Sequence, residues 1–328
     1  MLGVVVSSVS LAAVAYWVSR QHAPRLPASS AGFAWLGLAL VVIAGNFGLR
    51  GWRWHRIMDH TRVPQRLRDA IGLTLVGYMG NTVLPARGGD LLKVGLLGTR
   101  TTARRREVLG TVLVERFLDA AVLASLFAAL TWLGVRGAPS GDAGAIVAAA
   151  VLVAGALALA AYVRLRRSGR FERFAAAIRP VAGAFRLLAR VQGIPLALAS
   201  LVIWCVDGLT FMLIARAVGI DLDAAAALAV IVLASLAAAI PAAPGYVGTF
   251  DAAMLLGLHG AGVTGGDALG VLLLARFMFF VPVTIAGLAT LVLGYGGLRA
   301  AASPASQRGH QVQAIVEASV RAEQLERS

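Results

Sequence analysis

Six apolar runs of spanning length constrain this chain more than any other feature: 2–18, 31–49, 108–135, 143–163, 195–218 and 268–295. Each meets or nearly meets the roughly 20 residues that a helix needs to cross about 30 Å of hydrocarbon. Inside lipid the backbone has no water to bond, so a spanning segment must satisfy its own amides, which a helix does. The predicted fold class is therefore an all-α polytopic membrane protein. Composition agrees, because 59% of the 328 residues are hydrophobic and only 14% are charged. The run at 2–18 lacks a basic n-region and a small-residue cleavage site, so it reads as a membrane helix and not as a leader.

Two further apolar regions, 67–98 and 224–262, are broken near their middles by proline, glycine and charge. Such a break is tolerated at membrane depth only when it is buried in protein or lines a wet cavity. Both read as re-entrant hairpins or pairs of short helices, with Pro85, Gly88 and Gly89 shaping the first and Pro241, Pro244, Gly245 and Gly248 the second.

The net charge of +14 could suggest nucleic acid, but the arginines gather in short loops between apolar runs. There they act as a topology signal, and no basic stretch carries the interleaved aromatics that stack on bases. The segments 50–68, 100–106 and 164–190 go to the cytoplasm, which puts both termini there; only the loop with Arg20 and Arg25 runs against the rule. Residues 164–193 form a predicted amphipathic helix on the anionic cytoplasmic leaflet, and 301–328 a polar cytoplasmic tail. The same assignment makes the first broken region leave and regain the cytoplasm and the second leave and regain the outside. The abundance of Ala and of Arg over Lys suggests a bacterium with GC-rich DNA, hence the inner membrane.

Little in the chain supports catalysis. Cys205 is the lone cysteine, so there is no thiolate metal site, and neither a nucleophile elbow nor a phosphate loop is present. The expectation is a protein that is not an enzyme, with no metal and no cofactor; lacking a nucleotide motif, any transport would be downhill or ion-coupled.

The two broken regions repeat each other. Leu84-Pro85-Ala86-Arg87-Gly88-Gly89-Asp90 has its counterpart in Ala243-Pro244-Gly245-Tyr246-Val247-Gly248-Thr249-Phe250-Asp251. An arginine follows each acid inside the next long helix, Arg116 at 26 residues from Asp90 and Arg276 at 25 from Asp251. Similar sequence in opposite orientation is the mark of inverted-topology repeats, here about 31–135 and 195–295. Arg87, Asp90, Glu115, Arg116, Asp119, Asp251 and Arg276 all lie in or beside apolar runs. An ionised side chain at a helix centre costs about 2.5–3.5 kcal/mol, so these must pair with one another or with a ligand. Glu115, Arg116 and Asp119 can pair along one helix; Arg276 has no acid in reach on its own helix, and Asp251 or Glu115 are its candidate partners. Two readings stay open: an ion network that staples the repeats, or a polar cavity for a charged headgroup.

The motifs Asn81-x-x-Leu84-Pro85-x-Arg87-x-Gly89-Asp90, Glu115-Arg116-x-x-Asp119 and Pro241-x-x-Pro244-Gly245-x-x-Gly248-Thr249-Phe250-Asp251 resemble the lysylphosphatidylglycerol synthase transmembrane-region family. That is the flippase-like membrane domain of the multiple peptide resistance factor, and the similarity covers about residues 1–300. The family usually has Glu at Asp90 and Asp251, Arg at Lys93 and Gly at Tyr246. The resemblance implies translocation without the soluble synthase domain, and adds Asn81, Lys93, Tyr246 and Thr249 to the substrate-binding residues. It implies a membrane lipid as ligand (a phospholipid, an aminoacylated lipid or an isoprenoid-type lipid). Protein partners would be a second copy of the chain or a lipid-modifying enzyme; the alternative function is a non-catalytic accessory subunit of such an enzyme.

Overall fold

The computed structural model describes residues 16, 24, 26–84, 88–98, 100–139, 192–238 and 244–296. The runs at 2–18 and 143–163, the amphipathic segment 164–193 up to 191, and the tail 301–328 lie outside the described residues. Among the described residues all regular structure is helical.

The helix α1 (Ser30–His60) begins where the Ser29 hydroxyl accepts the Gly32 amide at 3.1 Å, an ordinary N-cap. It does not stop at Leu49, where its apolar run ends, but carries Arg50 and Arg53 on into the interior before Arg62 turns the chain at φ 58°. The helix α2 (Leu67–Val83) ends because Pro85 forbids helical geometry at the preceding residue, and Leu84 is extended at φ −91°, ψ 145°. The helix α3 (Gly88–Leu97) folds back along α2. That approach requires Gly89, since a Cβ there would stand 1.9 Å from the Gly77 carbonyl oxygen.

The helices α4 (Arg105–Trp132) and α5 (Gly193–Ala217) follow. Asp223 then caps α6 (Ala224–Ala237) by accepting the Ala226 amide at 2.8 Å. A short turn at Pro244–Tyr246, with Gly245 at φ 68°, leads past Gly248 (φ 92°) into α7 (Thr249–Gly260). The last helix, α8 (Gly265–Ala289), runs into a π-turn at Thr290–Gly294.

Three of these helices are long and apolar enough to cross a membrane: α1, α5, and α8 with its π-turn. The chain is an all-α membrane protein. The helix α4 has the length, at 28 residues, but carries Glu115, Arg116 and Asp119 at its middle. By contrast α2, α3, α6 and α7, at 17, 10, 14 and 12 residues, are each shorter than the roughly 20 residues that a crossing takes.

The packing partners fall into corresponding pairs. The helices α1 and α5 lie along each other, α2 lies on α8 as α6 lies on α4, and α3 packs on α2 as α7 packs on α6. Apolar side chains such as Phe33, Val41, Leu198, Ile285 and Leu288 are exposed on the outside of the three spanning helices, where lipid would cover them. Arg50, Arg53, Lys93, Glu115, Asp119, Asp207 and Asp251 are buried in the interior.

Candidate functional site

The interior face of α1 presents Arg50 and Arg53 three residues apart, on the same side of the helix. Arg50 pairs with Asp207 of α5 and donates to the Tyr78 hydroxyl at 2.6 Å, while Asn46 donates to the other Asp207 oxygen at 2.7 Å. Arg53, fully buried, donates to Asp119 at 2.6 and 3.2 Å, to Ser200 at 2.6 Å and to Glu115 at 3.3 Å. Glu115 also accepts from Lys93 at 2.8 Å, and the Lys93 ammonium lies 3.6 Å from the centre of the Trp54 ring. Arg116 donates to Asp90 at 3.2 Å and stands 3.6 Å from Asp119. Four cations (Arg50, Arg53, Lys93 and Arg116) thus meet four carboxylates (Asp90, Glu115, Asp119 and Asp207). Removing one member of a buried pair leaves its partner uncompensated, at a cost of about 3–5 kcal/mol.

One side of this network opens into a cavity of about 230 Å³. Its polar lining includes Arg50, Tyr78, Asn81, Arg116, Asp119 and Asp207; aromatic rings from Phe47, Trp204, Phe250, Phe279 and Phe280 form much of the rest. The helices α1, α2 and α4 contribute from one half of the chain, and α5, α6, α7, α8 and Tyr246 from the other. Polar groups and ring faces around one space suit a ligand that is both charged and partly apolar.

Of the residues singled out in the sequence, Asn81, Arg116, Asp119 and Tyr246 line this cavity. Asp90 sits behind Arg116 and accepts from Asn81 at 3.4 Å. Lys93 and Glu115 are buried deeper in the network and do not line the cavity. Arg87, Pro85 and Pro241 lie outside the described residues.

Thr249, Asp251 and Arg276 form a separate cluster that does not line the cavity. Arg276 pairs with Asp251, not Glu115: its Nε donates to Asp251 at 2.5 Å, and its other nitrogens donate to the Gly245 and Tyr246 carbonyls at 2.5 and 3.3 Å. Phe250 and Phe280 stack on the guanidinium at 5.0 and 4.9 Å. Asp251 also accepts the Gly248 amide at 2.9 Å, and Thr249 reaches the Tyr246 carbonyl at 3.5 Å.

Sequence reasoning missed Arg50, Asp207, Tyr78 and Trp204. Asp207 was findable, as the one acid within the apolar run 195–218, by the reasoning that picked out Glu115. Arg50 and Arg53 were assigned to a cytoplasmic loop because the apolar run stops before them; their three-residue spacing was the available signal.

Comparison with known proteins points the same way as the geometry. The family described as "Lysylphosphatidylglycerol synthase TM region" matches residues 1–287. A "UPF0104 membrane protein" of Methanothermobacter thermautotrophicus is 26% identical over 271 residues, covering 73% of this chain and 79% of that protein. "Glycosyltransferase AglD" of Haloferax volcanii is 25% identical over 268 residues, covering 67% of this chain but only 42% of the relative's length. No solved structure matches the chain.

Proposed function

The chain belongs to the lysylphosphatidylglycerol synthase transmembrane-region family, and on that premise we propose that it moves a lipid with a polar headgroup between the two leaflets of its membrane. The observation that carries this reading is the charge-lined, aromatic-walled cavity built by both halves of the chain. A headgroup crossing bare hydrocarbon must shed its water without replacement, whereas the side chains here replace that water. The acyl tails stay in the bilayer while the headgroup passes through the protein.

The halves, about 31–135 and 195–295, act in this proposal as inverted repeats that rock against each other about the cavity. Two features support the relation. Asp90 and Asp251 each occupy the third position of the helix after a Pro-Gly break, and each pairs with an arginine 26 or 25 residues on. The packing partners also exchange between halves. Composition and the arginine distribution favour a bacterial cytoplasmic membrane with both termini in the cytoplasm.

A second reading has one observation in its favour. The match to the glycosyltransferase covers less than half of that relative, so there the region shares a chain with other sequence. In this reading the protein is a non-catalytic membrane subunit for a separate lipid- or glycan-modifying enzyme.

Reconstitution separates the two. In vesicles holding the full chain and a headgroup-labelled phospholipid, the transport reading predicts faster bleaching of inner-leaflet label by a membrane-impermeant reductant than in empty vesicles. Ser235→Trp, which puts a large ring into the cavity, should slow that movement about tenfold or more. Equal rates with and without the wild-type protein would sink the transport reading.

A further inference from the structure

Arg116 and Arg276 occupy matching places after the two breaks, but their guanidinium groups are used differently. All three nitrogens of Arg276 donate to protein acceptors, two of them to backbone carbonyls of the turn at Gly245 and Tyr246. Among the described residues Arg116 makes one hydrogen bond, from Nη2 to Asp90. Its Nη1 stands 3.6 Å from Asp119, too far for a hydrogen bond, and its Nε has no partner among the described residues. Arg116 lines the cavity and Arg276 does not. A guanidinium with free donors beside a cavity fits a phosphate, which its planar fork can hold at two oxygens.

Charge narrows the ligand further. Among the described residues the ion network that includes Arg116 holds as many carboxylates as cations. A phosphate with no cation of its own would bring an unpaired negative charge into a buried setting, and that is costly. A headgroup that carries an ammonium beside its phosphate brings none. Building on the transport reading above, we propose that Arg116 is the phosphate receptor of the cavity and that a zwitterionic phospholipid headgroup opens the Arg116–Asp90 pair. The phosphate takes Arg116 and the ammonium takes Asp90. Asp90 is suited to wait for this exchange, because at the third position of α3 the helix start itself stabilises its charge. Arg276, with every nitrogen committed, holds the second turn in shape and does not read the headgroup.

The test is native mass spectrometry of the purified full-length protein, titrated with dihexanoyl phosphatidylethanolamine, dihexanoyl phosphatidylglycerol, dihexanoylglycerol without phosphate, and inorganic phosphate. The wild type should bind the ethanolamine lipid about tenfold or more tighter than the phosphate-free lipid, the scale of one charged hydrogen-bonded contact. It should prefer the ethanolamine lipid to the glycerol lipid, and inorganic phosphate should compete poorly with either. Arg116→Gln should erase the advantage of the phosphate, and Arg116→Lys, which keeps the charge but loses the fork, should erase part of it. Asp90→Asn leaves the network with one surplus positive charge and should reverse the order of the two phospholipids. Arg276→Gln, compared on folded protein, should keep the wild-type order.

Unchanged discrimination in Arg116→Gln, or parallel loss in Arg116→Gln and Arg276→Gln, would overturn the proposal. So would inorganic phosphate competing as well as the lipid, which would mark a free-phosphate site. Failure of the proposal and failure of the transport reading are distinguishable. If vesicles show translocation that Arg116→Gln does not alter, only the headgroup assignment falls; if wild-type vesicles show none, the transport reading falls with it.

Discussion

The arginines that follow the two breaks hold matching sequence positions and are used differently. In each region, a glycine-flanked break leads into a short helix whose third residue is aspartate, and that aspartate meets an arginine from the following long helix. In the second region the arginine also ties down the turn, through the Gly245 and Tyr246 carbonyls and two phenylalanine rings. In the first, the arginine has donors to spare among the described residues and faces the cavity, while the network behind it is held by Arg53 and Lys93. A duplicated ion pair therefore need not keep a duplicated task. What separates the copies is how many acceptors surround the guanidinium.

That contrast can be broken most sharply at its foundation. Arg53→Ala removes the fully buried cation that joins Asp119, Glu115 and Ser200, and should cost about 3–5 kcal/mol, measured as a drop in the midpoint of unfolding in detergent. A change of under about 1 kcal/mol would show that the network is not a structural base for the cavity. Next comes Arg276→Gln, expected to cost about 2–3 kcal/mol because it strands Asp251 and two carbonyls. Arg116→Gln should cost less stability than Arg276→Gln while slowing lipid movement more. A reversal of that order would erase the distinction between the two arginines.

The hairpins can be compared through their glycines. Gly89→Ala would drive a Cβ to within 1.9 Å of the Gly77 carbonyl and should destabilise by about 1–3 kcal/mol. Gly257→Ala meets Val230 at 3.1 Å and should cost less, so equal unfolding midpoints for the two variants would contradict the tighter first hairpin. The smallest effect is expected at Asp223→Ala, which removes the cap of α6 at about 1 kcal/mol. It should leave lipid movement unchanged in the vesicle assay, since Asp223 lies outside the cavity.

Much of the architecture could be read from periodicity and punctuation alone. Apolar runs of spanning length announced α5 and α8 within a few residues, and Pro85 announced the end of α2. Asp251 was one of two candidate partners for Arg276, and the structure selects it; the Asp90–Arg116 pair was not read, although its 26-residue offset matches the 25 between Asp251 and Arg276. What the sequence hid was the division of labour. An apolar-run criterion ends a helix at its first arginine, whereas α1 continues because Arg50 and Arg53 find buried carboxylates on α5 and α4. Those acceptors lie 157 and 66 residues away, so no local pattern reports them. Likewise the separation of Asp251 and Arg276 from the cavity depends on the turn carbonyls, which carry no side-chain signature.

The central claim is that a lipid headgroup occupies the cavity during transfer. Its most direct test uses a phospholipid with a photoreactive headgroup in vesicles containing the full chain, with the crosslinked residues mapped by peptide mass spectrometry. The account predicts crosslinks at cavity-lining positions such as Tyr78, Arg116 and Trp204, and their loss in Ser235→Trp. Crosslinks confined to lipid-exposed positions such as Phe33, Ile194 and Ile285, unchanged by that substitution, would contradict it.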